Sequence, residues 1–225
     1  MAIGLGCYYS IRLKQPTLLL ELDCSPGDFG ALFDIEPQIS LDMAMRFPEE
    51  CRKCIKKVQH NLDILKGMAN PIIAEGVAQG QLLSMVEKIA GDYENIIIDT
   101  QSVLNGLVLD ALSFSRHILL ITECSIESFN RVLNFNEILT NNFGVKNSRI
   151  SLIVNKKQRP DFLKVWDISK MSGHPVSGFI GYDRRFNKSM AITGVDKIEK
   201  TRFYKQLCRI IENEFKGKAP GRHKV

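Results

Sequence analysis

The chain has 225 residues, enough for one α/β domain with a sizeable core. Its composition is 44% hydrophobic and 24% charged, ordinary for a globular protein, and no apolar run approaches the roughly 20 residues of a membrane helix. The net charge of +5 is mild, and no basic segment before Ile3–Ile11 or small-residue cleavage site after it marks a secretory signal, so a cytoplasmic protein is expected.

Met1–Leu13 has helical spacing through Leu5, Tyr8, Tyr9 and Arg12, with no cap before it, and then meets Pro16. Gly4 and Gly6 make a poor dinucleotide fingerprint, because no strand precedes them. Strands are expected at Thr17–Leu22, Leu62–Leu65, Asn95–Ile98, His117–Thr122, Arg149–Val154 and Val176–Ile180. Four of them (TLLLEL, NIIID, ILLIT and ISLIV) are nearly continuous apolar runs, which predicts burial on both faces in a largely parallel sheet flanked by helices. Helices are expected at Val77–Ala90, at Ile126–Leu139 with Ser125 as N-cap, and at Lys197–Phe215 with a core-facing apolar stripe. No repeat or linker interrupts the pattern, so one α/β domain over residues 1–216 is expected, followed by a basic tail, 217–225. That tail contains no aromatic residue for stacking on bases. Specific nucleic-acid binding is therefore not supported, and membrane contact is at most peripheral.

Six cysteines are spread along the chain, and Cys51 and Cys54 form the only C-x-x-C pair. Pro48-Glu49-Glu50 resembles a helix start, but its glutamates raise rather than lower thiol pKa values, and no second Cys/His pair completes a zinc site. The four histidines, His60, His117, His174 and His223, form no cluster.

In an open parallel sheet, ligands bind at the carboxyl ends of the strands. Two of these ends are acidic here. Glu21 and Asp23 are two apart and point the same way on a strand. Ile96-Ile97-Ile98-Asp99 has the form of a Walker B strand, whose carboxylate acts through magnesium and its waters; the same letters also suit a helix cap or a turn. A third end, Leu152-Ile153-Val154-Asn155, places an amide at a strand-to-loop junction.

In order, these segments resemble the MinD/ParA family of P-loop ATPases, most closely its pilus-assembly branch (CpaE/TadZ-like), from about residue 2 to about residue 213. Ala2–Leu13 resembles the helix after the family's phosphate loop. Leu18–Asp28 resembles its D-x-D strand followed by a Gly-Asp pair, and Tyr93–Thr100 its Walker B strand. His117–Glu123 and Leu152–Asn155 resemble the next strands, and Gly178–Gly194 a late strand, turn and helix. The resemblance implies ATP and magnesium as cofactors, with Asp23 helping to activate water, Asp99 linked to magnesium and Asn155 against adenine. It also implies a homodimer that positions a cellular machine such as a pilus or secretion apparatus. Glu21 stands where the first Asp is usual, and Gln101 where Pro is usual.

The Gly-rich loop with its lysines, expected before Ala2, is not in the sequence, nor is the strand that leads into it. Two accounts are open: Met1 is an internal methionine taken as a start, or the loop has been lost and the protein is a non-hydrolysing partner that recognises other proteins. The family's missing strand is central in its sheet. Its loss leaves neighbouring strands with unpaired backbone groups, each costing roughly 1–3 kcal/mol when buried, against a total stability of about 5–15 kcal/mol. Tight ATP binding is not expected without the loop's backbone N–H groups and lysine.

Overall fold

The computed structural model describes residues 1–23, 27–68, 77–78, 80–158, 164–173, 175–186 and 195–214. The expected basic tail and much of the Gly178–Gly194 resemblance lie outside these residues. The chain divides into two compact units, one built mainly from residues 1–114 and the other mainly from residues 115–189 and 199–219.

The first unit begins with helix α1 (Ala2–Cys7), continued by a π-helical turn, Tyr8–Arg12. Its inner face is nearly all buried, and Ser10 Oγ donates 2.7 Å back to Gly6 O. Strand β1 (Thr17–Glu21) follows, then the short helices α2 (Asp28–Leu32) and α3 (Leu41–Arg46), then a 3-10 turn at Pro48–Cys54. Strands β2 (Lys56–Gln59) and β3 (Leu62–Leu65), helix α4 (Gln81–Ile89), strand β4 (Asn95–Asp99) and helix α5 (Gly106–Phe114) complete the unit. The strand order is β2-β3-β1-β4. β1 is parallel to both β3 and β4, whereas β2 is antiparallel to β3. Sequence patterning had no purchase on β2, because Lys56-Lys57-Val58-Gln59 is mostly polar. A reversal at Asn61 (φ 66°) creates it, a conformation Asn tolerates better than most residues. The core on one face of this sheet joins Leu18, Leu20 and Leu65 to Leu41, Met45, Leu82, Met85, Ile89 and Leu107.

The second unit contains β5 (Ile118–Thr122), helix α6 (Ile126–Glu137), β6 (Ile150–Lys157), helix α7 (Val165–Ser172), β7 (Val176–Gly181) and helix α8 (Arg202–Glu214). β5, β6 and β7 form a wholly parallel sheet in that order. Ser125 caps α6 as the sequence predicts, its Oγ accepting from Ser128 N at 3.2 Å. α8 lays Phe203, Leu207, Ile210 and Ile211 on the core side, all buried. Gly178 is what lets α8 approach β7. A Cβ there would lie 2.4 Å from Ile210 Cγ1.

All six expected strands form, but the four apolar runs are not equally buried. Every residue of β1 is buried, as are the first five of β6. β4 is half-buried along its whole length, and β5 alternates between buried and half-buried. Their place in the sheet supplies the reason. β1 and β6 have strands on both sides, whereas among the described residues β4 and β5 each end a sheet. Two-sided apolarity therefore marked parallel pairing correctly and overstated burial at the ends. Among the described residues no helix is long and apolar enough to cross a membrane.

Among the described residues, Cys7, Cys51, Cys54, Cys124 and Cys208 are in no disulfide. Burial pushes the Cys51 and Cys54 thiols up, away from a reactive thiolate, against the opposing pull of the Arg52 charge on Cys51 and of a Ser40 backbone hydrogen bond on Cys54. Gly178→Ala is expected to cost about 1–3 kcal/mol by overpacking against Ile210. Urea unfolding checks this, with a lower midpoint and an unchanged m value.

Candidate functional site

The site of the first unit is set by two parallel strand ends. β1 and β4 run in register from Thr17 opposite Asn95 to Glu21 opposite Asp99, so both strands finish on a carboxylate at the same level. The pairing continues one step further, where Leu22 N donates to Asp99 O at 2.7 Å. Asp23 is the next residue, half-buried, and Asp28 opens α2 in an exposed position. Four acidic side chains thus gather at one rim, as expected for the carboxyl ends of parallel strands.

Glu21 is only 4% exposed, and both of its carboxylate oxygens are occupied. Phe29 N donates to Oε1 at 3.1 Å and Gly67 N donates to Oε2 at 2.9 Å. Two glycines make this approach possible. A Cβ on Gly27 would lie 2.4 Å from Oε2, and one on Gly67 would lie 3.1 Å from Oε2 and 2.8 Å from Asp23 O. Burial pushes the Glu21 carboxyl up; the Gly67 and Phe29 N–H groups pull it down, and the charges of Asp99 and Asp23 push it up again, leaving it raised. Asp99 is raised as well. Burial is the largest cause, the α-amino group of Met1 opposes it, and Asp23 and Asp28 add to it.

Of the alternatives open for Asp99, the helix cap is taken by another residue. Asn105 Oδ1 accepts from Val108 N at 2.9 Å and so caps the start of α5. Asp99 stays at the end of β4, in reach of its acidic neighbours. Glu21 stood in the sequence as a strand-end acid beside Asp23 and as a substituted first Asp, and nothing in the spacing separated a carboxylate that holds loops from one that faces a ligand. Gly67 stands two residues past β3, in Leu65-Lys66-Gly67; a glycine just beyond a mostly apolar strand was the signal that could have drawn attention to it. Lys66 runs beside α2, its Cδ 3.5 Å from where a Cβ on Gly30 would stand.

Asn155 belongs to the second unit. The sequence placed it at a strand-to-loop junction, but β6 continues through it to Lys157, and Asn155 lies half-buried inside the strand. The ladder slips between Val154 and Lys157, where Lys156 takes a φ of 50°, and resumes with Lys157 opposite Gly181 and with Tyr182 N donating to Lys157 O at 3.0 Å. A bulge of this kind re-aims side chains, and Lys156 pairs with Glu123 at 2.9 Å beyond it.

Among the described residues, no group of three His, Cys, Asp or Glu side chains converges to hold a metal ion by itself. The donor set of the rim nevertheless suits magnesium, which is commonly held by one or two carboxylates with waters and phosphates completing its shell. Burial raises Asp99 most, and the repulsion that Asp23 and Asp28 add to it is the kind of strain a cation relieves.

No protein-family model matches the chain, and no curated protein matches it in sequence. Solved structures do match. The ParA family ATPase from Chlorobium tepidum TLS superposes with a TM-score of 0.78 at 16% identity, covering 92% of this chain and 90% of that one. The MinC:MinD cell division complex of Aquifex aeolicus gives 0.75 at 16%, with 96% and 88% covered. The septum site-determining protein MinD of Pyrococcus horikoshii OT3, complexed with Mg-ADP, gives 0.73 at 15%, with 99% and 90% covered. The chain therefore has the MinD/ParA P-loop ATPase fold, an α/β architecture with mostly parallel strands.

A carboxylate raised in the folded state contributes stability below its unfolded pKa and loses it as pH rises through the folded value. Asp99→Asn removes this loss. The variant is expected to melt higher than the parent at pH 7 and to converge with it near pH 4, the ordinary aspartate range. Thermal denaturation of both proteins across that interval checks it.

Proposed function

We propose that this protein is a MinD/ParA-like member of the ATPase family that acts in the cytoplasm, over a domain spanning residues 1–216, to position a cellular machine. A pilus or secretion apparatus of the CpaE/TadZ type is the machine that fits the sequence resemblance. The observation that carries the reading is the in-register ending of β1 and β4 on Glu21 and Asp99, with Asp23 directly beyond. Two adjacent parallel strands that stop on acids, in a chain of this fold, suit a magnesium-nucleotide site.

In this reading Asp99 holds magnesium through its waters, Asp23 orients the attacking water, and Asn155 contacts the adenine edge. Bound magnesium supplies neutralisation of phosphate charge. The chain's own part is to keep Asp23 and Asp99 close and partly desolvated, so that their charge acts strongly on what binds there. The solved MinC:MinD complex supports a partner-binding role by analogy of fold, and the homodimer is what the sequence resemblance implies.

These 225 residues include no Gly-rich loop with a lysine ahead of α1, and we infer that they bind nucleotide weakly by themselves. A second reading is a non-catalytic scaffold of the same fold that recognises partner proteins. It is favoured by the engagement of both Glu21 oxygens with backbone N–H groups, which gives one rim acid a structural occupation.

Thermal shift with millimolar ATP, with and without magnesium, separates the two. The nucleotide reading expects a saturable, magnesium-dependent rise in melting temperature that Asp99→Ala and Asn155→Ala each reduce at least about tenfold in apparent affinity, the loss of one charged or buried contact. No shift at any concentration favours the scaffold.

A further inference from the structure

The geometry points to Glu21 as the positioning residue of the acidic rim, a buried clasp that joins the segments after β1 and β3 and thereby fixes Asp23. It rests on the proposed role of Asp23 and goes beyond it, by naming what holds that residue in place.

The argument starts from the strand. Glu21 ends β1 with almost no exposure, a costly place for a carboxylate unless its oxygens are satisfied. Each oxygen is satisfied by a different segment. Phe29 N belongs to the first turn of α2, and Gly67 N lies two residues past β3. Gly67 touches Asp23 in turn, because a Cβ at that position would stand 2.8 Å from Asp23 O. On its other side Asp23 follows Leu22, whose N–H is fixed to Asp99 O. Asp23 is thus gripped between the β1–β4 ladder and a loop that Glu21 holds.

Residue type matters at three points. A carboxylate has two acceptor oxygens, whereas an amide has one and would set an NH2 against a second N–H. Aspartate is shorter by one methylene, about 1.5 Å, so it cannot reach both donors from the same backbone. Gly27 and Gly67 leave room that any other residue would fill, with Cβ atoms 2.4 Å and 3.1 Å from Glu21 Oε2. The clasp is therefore specified by Glu21, Gly27 and Gly67 together.

The test uses the full chain without nucleotide. Amide hydrogen exchange is followed at Phe29 and Gly67, with Leu19 and Ile64 as controls inside β1 and β3. Glu21→Gln and Glu21→Asp are both expected to lower protection at Phe29 and Gly67 by about tenfold or more, the loss of a charge-assisted bond, and to leave the controls unchanged. Gly67→Ala, which pushes on the clasp from the other side, is expected to do the same, and it serves where a Glu21 variant does not fold. Unchanged protection at both amides in the folded variants overturns the proposal.

Manganese binding, read by electron paramagnetic resonance, then separates position from charge. Positioning expects Glu21→Asp, which keeps the charge, to weaken Asp23-dependent binding as much as Glu21→Gln does. Weakening by Glu21→Gln alone overturns positioning in favour of simple charge. If the parent chain binds no manganese even with millimolar ATP present, the nucleotide reading fails, and the exchange result still decides whether Glu21 is the clasp.

Discussion

The first unit is organised by the complete burial of β1. That strand has a parallel neighbour on each side, β3 and β4, and apolar packing on its faces, so all five of its residues are buried. A strand in that position can end only where its last polar group finds partners. Glu21 finds them in the backbone of two later segments, and the rim of the unit takes its form from that requirement. The helices respond to the same strand. α1 comes close because Gly6 has no side chain, a Cβ there falling 2.8 Å from Leu19 Cδ2.

Much of this was written in the sequence as hydrophobic pattern. Thr17–Leu22, Asn95–Ile98 and Arg149–Val154 became β1, β4 and β6 within a few residues, because uninterrupted β-branched and leucine runs have few other stable homes. Ser125 was legible as a cap for a local reason, since its hydroxyl needs only the third residue onward. What the pattern did not carry was sheet order. Leu18–Leu20 and Ile96–Ile98 look alike as letters, yet the first group is sealed and the second half-open, because the difference lies in what sits beside each strand.

The acidic rim was legible in part for the same reason. Asp23 and Asp99 were marked by following apolar runs to their polar ends. The distinct occupation of Glu21 was hidden, because its partners are backbone N–H groups at Phe29 and Gly67, and backbone leaves no trace in side-chain spacing. Asn155 shows the converse limit. Its residue type was noticed, but the bulge that keeps it inside β6 depends on a register slip against β7. In the second unit Asp183 is another carboxylate that holds backbone rather than ligand. Its oxygens accept from Arg185, Phe186 and Phe203, and those bonds keep it lowered despite some burial.

The outer side of β4 has a consequence for handling this chain. Three consecutive isoleucines, half-buried, lie along a strand that ends its sheet among the described residues, and such a strand can serve as a template for other extended chains. Asn95 at one end and Asp99 at the other act as gatekeepers, since polar and charged flanks oppose the stacking of identical segments. Aspartate does this only while ionised. The burial that favours its neutral form therefore also weakens the guard, and acidic, concentrated solutions are where folded chains would most readily coalesce.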